Sequence, residues 1–264
     1  MRVYVEGIGL RGPGLDGWQA SRAVLAGQQD YVVAPTNLSG IDMLPPAERR
    51  RAGVPIKLSM AVGQEAFSHA QRSAAATATV FTSSGGDNEN VHAINDILVT
   101  APREVSPTRF HNSVHNASAG YWGIAAHSRE PSTSLCGYDT SFAIGLLDAA
   151  VQAAIDRVPV ALLAYDYSYP EPLNAVRHIE GSFGVALVLT PQRTEHAIAE
   201  LEVNFVAAAQ APTAMDIAAL ERLRSHNPAA RSLPLLAALA RGAAAQLVVD
   251  YLGDCHLAIV VTPC

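Results

Sequence analysis

Apolar and polar positions alternate from the start of the chain, Arg2-Val3-Tyr4-Val5-Glu6, and this period of two predicts a strand over residues 1–10. Past the turn-rich Gly12-Pro13-Gly14-Leu15-Asp16-Gly17, the pattern predicts a helix from Trp18 to Ala26, stopped by Gly27. Residues 28–46, with Pro35, Asn37, Gly40, Pro45 and Pro46, read as a long loop. Over 56–73 the apolar positions Met60, Val62, Ala66, Phe67 and Ala70 predict a second helix. Thr77 to Phe81 reads as a strand, Thr82 to Asn88 as a tight strand-to-helix turn, and 89–100 as a helix that ends at Ala101-Pro102.

Pro131 to Gly137 predicts a short strand, and the helix that follows to Asp156 is apolar nearly all round, so it belongs between layers. Val158 to Tyr165 is a continuous apolar run ending at Asp166, as in a sheet covered on both faces. Gly181 to Thr190 and Ile198 to Val206 read as strands paired antiparallel across Pro191 to Glu195. Helices over 215–224 and 233–243 and a hairpin of 245–251 with 256–262, turning at Gly253-Asp254, complete the chain. The loop 207–213 divides an α/β body, residues 1–206, from a short α/β tail, residues 207–264, packed on it.

Composition narrows the function classes. A 264-residue chain that is 49% hydrophobic buries roughly 70–75% of its unfolded surface. With 16% charged residues and a net charge of -6, it has no basic field to recruit nucleic acid or a membrane surface. The sparse charge and abundant Ala and Gly suit a chain that hides a flat face in an oligomer. Met1 to Gly7 carries no signal-peptide core and no run reaches the ~18 apolar residues of a membrane span, so a cytoplasmic protein is expected. Cys136, Cys255 and Cys264 lack C-x-x-C spacing and read as reduced thiols, Cys136 buried, with no structural metal. The Thr82 to Asn88 turn lacks the lysine and glycine spacing of a nucleotide loop, and no cofactor is expected.

Candidate chemistry gathers in Ser106 to Gly123, which places polar groups between an extended segment and the apolar helical run from Tyr121 to His127. A helix start offers unpaired amides and a positive dipole end to a nucleophile or an oxyanion. Asn116-Ala117-Ser118-Ala119-Gly120 is one residue away from the G-x-S-x-G elbow, with Asn116 standing where left-handed backbone is required. Ser118 is the candidate nucleophile, and the competing reading makes it a helix cap.

The ordered set Val3 to Gly9, the Trp18 helix ending in Ala26-Gly27, Val80 to Gly86, His115 to Gly123, Leu162 to Asp166 and Glu180 to Leu189 resembles the amino-terminal half of the β-ketoacyl synthases. Pro107 to Gly123 resembles the shortened chain-length-factor-like members associated with aryl polyene pigment synthesis. The resemblance implies an α/β, thiolase-like layered α-β-α fold, one half of a condensing enzyme plus a short carboxy-terminal tail. In the family a cysteine is acylated and two histidines from the second half assist decarboxylation. Here the position equivalent to that cysteine falls on Ser118 or Ala117, and neither His226 nor His256 stands in a family histidine motif. The implied function is a non-catalytic partner that forms a heterodimer with a full-length β-ketoacyl synthase and borders its acyl tunnel. Acyl carrier protein docks through that partner. Substrate or interface positions are Phe110, His111, Asn112, His115, Asn116, Tyr121 and Trp122, the aromatics also being readable as ordinary core.

Two alternatives stand beside it. Ser118 is the nucleophile of a stand-alone acyltransferase or hydrolase, with His111 or His115 as base and Asp139 or Asp166 orienting it, the triad Ser118, His115 and Asp166 being one form. Or the chain is a scaffold that binds an acyl chain or carrier protein without altering products.

Overall fold

The computed structural model describes residues 1–39 and 41–264. Residue 40, inside the loop read over 28–46, lies outside the described residues. The strands are β1 (Arg2–Gly12), β2 (Leu15–Asp16), β3 (Ala78–Thr82), β4 (Ser132–Leu135), β5 (Val160–Asp166), β6 (Phe183–Thr190), β7 (Ala199–Val206), β8 (Ala245–Asp250) and β9 (His256–Pro263). The helices are α1 (Trp18–Leu25), α2 (Pro46–Arg51), α3 (Val54–Ala70), α4 (Asn88–Val99), α5 (Pro107–Asn112), α6 (Ala117–Ala126), α7 (Ser141–Asp156), α8 (Leu173–Val176), α9 (Ala218–His226) and α10 (Leu233–Arg241).

One mixed sheet runs β4-β3-β5-β6-β1-β7-β9-β8, with β2 hairpinned onto β1. β4, β3 and β5 are parallel to one another, and the other pairings are antiparallel. Apolar residues cover both faces, as the continuous run of β5 requires: Val160, Leu162 and Ala164 pack with α1, α7 and α10, whereas Ala161, Leu163 and Tyr165 pack with α3 and α6. Helix, sheet, helix is the layered arrangement expected from the sequence, but α7 is not enclosed on all sides as its apolar sequence predicts: it buries Phe142, Leu146, Ala149 and Ala153 along the sheet and leaves Val151 and Ile155 exposed on its far face.

β6 and β7 do not pair with each other, contrary to the hairpin read from their sequence. β1 lies between them, antiparallel to both. Its 11 residues are long enough to take β6 along Tyr4–Arg11 and β7 along Arg2–Val5. The carboxy-terminal hairpin then adds to the sheet through β9 on β7.

β1 is locked to α3. A bulge between Val5 and Gly7 lets Val3, Val5, Ile8 and Leu10 share one face despite the break in their spacing. On the other face a Cβ on Gly7 would fall on the Ala66 carbonyl, and one on Gly9 on the Val62 carbonyl, so only glycine admits the helix this close. Beyond Val5, where β7 no longer pairs, side chains of α3 take over the strand's hydrogen bonds. The Ile8 amide donates to His69 Nδ1 at 3.2 Å and the Leu10 amide to Glu65 Oε2 at 3.0 Å. Burial lowers the pKa of His69 and keeps this acceptor neutral. Glu6 is buried and ion-paired with Arg72, and although burial pushes its pKa up, hydrogen bonds from Arg72, Thr194 and Thr190 bring it below the ordinary value.

Glu65 also completes α1. Gly17 has no side chain to cap that helix, and Glu65 Oε1 accepts the Trp18 amide at 2.5 Å while Oε2 pairs with Arg11 at 2.7 Å. Glu65→Ala strands two backbone amides and takes one of its partners from Arg11, which keeps the Leu10 carbonyl and Asp16, and is expected to lower unfolding free energy by about 2–4 kcal/mol. Urea unfolding of wild type, Glu65→Ala and Glu65→Gln checks this. A loss under about 1 kcal/mol for the alanine variant would show that water replaces the carboxylate freely.

Candidate functional site

The residues singled out from the sequence lie beside the carboxyl ends of β3 and β5, the place where open parallel sheets present ligand contacts. The segment expected to be extended before Ser118 is instead helix α5, because Pro107 sits at a first-turn position where its missing N–H is no loss. The chain therefore goes from helix to helix, and Asn116 has φ -87°, not the left-handed backbone of an elbow. Ser118, 3% exposed, lies in the first turn of α6 with its hydroxyl against that of Tyr165, and Ala117 beside it is also buried.

The other members serve separate bonds. His115 Nε2 donates to the Ser83 carbonyl at 3.1 Å, a partner that only accepts and so places the proton on Nε2. Buried Asn112 donates to the Arg51 carbonyl at 2.9 Å and accepts from Tyr121 Oη at 3.1 Å. His111 is exposed, its ring 6.1 Å from that of Tyr121. Tyr121 and Trp122 are core aromatics, Trp122 packing on Phe67 and Phe81. Of the three aromatics only Phe110 reaches the surface, 70% exposed, in an apolar groove of about 400 Å³ with Val114, Ala117 and Gly120. Asn116 is exposed on the same groove. No hydrogen bond joins Ser118, His115 and Asp166 among the described residues.

The sharp strand-to-helix turn lies elsewhere, between β4 and α7. Leu135 ends the strand, Cys136-Gly137 follow, Tyr138 takes φ 53°, and α7 starts at Ser141. This is the geometry that lifts a nucleophile above a sheet, with a tyrosine at its tip. Its sequence signal was the glycine-polar cluster Gly137-Tyr138-Asp139-Thr140-Ser141 between an apolar strand and a buried helix. Cys136 is exposed, not buried as expected, since it has left the strand before α7 begins; its thiol donates to the Ser84 carbonyl at 3.3 Å. Asp139 pairs with Arg177 at 2.9 Å. The Ser83 to Asp87 turn points its Gly85 and Gly86 amides at Ser83 Oγ, leaving no cradle for phosphate. No group of three His, Cys, Asp or Glu with metal-binding placement occurs among the described residues.

Beneath these turns Asp166 is buried. Its Oδ1 accepts from the Ser84 amide at 2.8 Å, Ser84 Oγ at 2.7 Å and Ser83 Oγ at 3.2 Å, while Oδ2 has no partner. Burial pushes its pKa up to about 7, offset in part by Ser84, Ser83 and the charge of Arg177. Unfolded, it ionises near the ordinary value of 3.8, so between there and about 7 the native state holds the extra proton. Stability from this group is thus present at low pH and declines as pH rises through that window, by at most about 1.4 kcal/mol per pH unit. Urea midpoints from pH 4 to 8 are expected to show this decline in wild type and a flatter one in Asp166→Asn. Equal pH slopes for the two proteins would refute the assignment.

With this geometry in view, the comparisons with known proteins are specific. The family model for the beta-ketoacyl synthase, N-terminal domain, matches residues 18–250. The solved complex of the ketosynthase ApeO with its chain length factor ApeC from Xenorhabdus doucetiae is similar at TM-score 0.75 and 21% identity, over 98% of this chain and 99% of that one. The ishigamide ketosynthase/chain length factor aligns at TM-score 0.75 and 16% identity over 100% and 99% of the two chains. A beta-ketoacyl synthase from Burkholderia phymatum STM815 is similar at TM-score 0.60 and 14% identity, over 86% and 70%. Curated sequences provide no match. The layered sheet is the thiolase-like fold of these enzymes, and the chain belongs to the beta-ketoacyl synthase N-terminal domain family.

Proposed function

We propose that this chain is a non-catalytic, chain-length-factor-like partner of a full-length β-ketoacyl synthase, acting in aryl polyene chain elongation in the cytoplasm. The observation that carries the reading is an uncovered edge. β4 is the terminal strand of the sheet, only its β3 side is paired among the described residues, and the Phe110 groove on α5 and α6 opens beside this half of the sheet. A free strand edge near exposed Phe110, Val114 and Ile124 favours a second chain.

Two further features support it. The elbow tip is Tyr138, with no thiol or activated hydroxyl, and Ser118 is enclosed against Tyr165. The solved structures it resembles include complexes titled as ketosynthase with chain length factor. In this reading the partner supplies the cysteine, the histidines and the docking of acyl carrier protein, while Phe110 borders the tunnel and limits chain length by bulk. The expressed body and tail, residues 1–206 and 207–264, act as one unit through the shared sheet.

The chain produced alone is expected to be inactive, and the co-expressed pair to condense malonyl-loaded carrier at a rate that Ser118→Ala leaves within about twofold. Turnover by the lone chain that disappears in Ser118→Ala would overturn the reading in favour of a serine enzyme. Phe110→Ala in the active pair is expected to lengthen the products by one extension cycle or more, read by mass spectrometry. Binding of carrier without any effect of this chain on product length would make it a scaffold.

A further inference from the structure

Among the described residues four non-glycine positions have positive φ: Gln71, His127, Tyr138 and Arg157. Three of them cap the carboxyl ends of α3, α6 and α7, where left-handed backbone satisfies the last carbonyls. Tyr138 caps no helix. Its strain is not offset by burial either, since the side chain is 59% exposed. A strained residue left in the open points to a use outside the fold.

The ring is nonetheless held. The Arg177 guanidinium lies over it at 3.5 Å from the centroid. Arg177 is 15% exposed and pairs with Asp139 Oδ1 at 2.9 Å. Asp139 Oδ2 faces Arg231 at 3.8 Å, and Arg231 reaches Asp250, the last residue of β8, at 2.7 Å. The relay joins an exposed aromatic to the carboxy-terminal tail through two enclosed arginines and two partly exposed aspartates. Beyond Arg177 the surface turns apolar. Val176 is 83% exposed, and with Val91, Pro172 and Leu173 it lines a groove of about 400 Å³ between α4 and α8.

We propose that Tyr138 is an anchor residue for the partner chain, posed by Arg177 and, through Asp139 and Arg231, by the carboxy-terminal tail. This rests on the reading of the chain as a ketosynthase partner, and it names where that partner grips. Tyr138 stands three residues past Leu135, the last residue of edge strand β4, whose side away from β3 is unpaired among the described residues, so the anchor continues the free edge. The composition also fits, because binding hot spots favour Tyr and Arg set within weakly contributing apolar contacts. An anchor locked in one rotamer before binding has less freedom to lose.

The two roles separate experimentally. Tyr138→Gly and Tyr138→Asn both accept left-handed backbone, so each is expected to fold, with a melting temperature equal to or above wild type. Each is expected to weaken association with the ketosynthase at least tenfold in titrations of the purified pair. Arg231→Gln, which acts on Tyr138 only through Asp139 and Arg177, is expected to weaken it severalfold, and Arg231→Lys to recover part of the loss. If wild type pairs and both Tyr138 variants pair as tightly, the anchor is refuted while the partner reading stands. If wild type itself does not pair, the partner reading falls and the anchor falls with it. A lower melting temperature with unchanged affinity would make Tyr138 a structural residue and also refute the proposal.

Discussion

The close seat of α3 on β1 is the constraint that the rest of the structure depends on. β1 is the strand where the two parts of the sheet meet, with β6 on one side and β7 on the other. It changes neighbours in mid-course, and at that change it would leave amides with no strand to bond. α3 removes the problem by lying on Gly7 and Gly9 and presenting Glu65 and His69, one turn apart, to the orphaned Leu10 and Ile8 amides. A buried unpaired amide costs on the order of 1–3 kcal/mol, so two of them would weigh heavily against a native state only about 5–15 kcal/mol stable. The helix acts as a surrogate strand. With its place set, α6 and the Trp122 cluster can pack outside β3 and β5.

That arrangement leaves the carboxyl ends of β3 and β5 as the polar region of the molecule. Ser83, Ser84 and Asp166 bond one another there, and His115 and Cys136 both donate to carbonyls of the Ser83-Ser84 turn. The donors therefore point inward, onto the protein's own groups. A site prepared for an acyl carbonyl would direct amides outward at an empty position, whereas here the Gly85 and Gly86 amides are turned onto Ser83. The network's clearest role is to fix the β3 and β4 turns relative to each other. A single unpartnered carboxylate oxygen on Asp166 is what it leaves unsatisfied, and protonation is the cheapest remedy.

What was legible in the sequence were features that composition alone forces. The uninterrupted apolar run of β5 leaves little choice but burial on both faces of the sheet, and that fixes a layered fold, although α7, apolar nearly all round, leaves Val151 and Ile155 exposed on its far side. Strand order was not legible, because β6 and β7 are neighbours in sequence and their separation by β1 depends on a pairing almost 200 residues away along the chain. The site was legible in residue type but displaced. Asn116 has the right chemistry for left-handed backbone, yet α5 before it removes any need for a sharp reversal. Tyr138 carries no such propensity, and only its position between β4 and α7 imposes the strain. Local propensity pointed to the residue that tolerates an elbow; topology decided which residue has one.

Left-handed backbone at the tip of the β4–α7 turn is least strained with glycine or asparagine there, yet the residue is Tyr138. The turn is sharp for a geometric reason. β4 is the edge strand and α7 crosses back beneath the sheet, so the chain must reverse within a few residues wherever the strand stops. The reversal places the tip at the end of an edge strand that, among the described residues, pairs only with β3. The turn carries an aromatic ring under a paired arginine, beside a strand that among the described residues is paired with β3 alone. The projection of Tyr138 thus follows from the steric requirement at the end of β4 and asks for no change elsewhere in the fold.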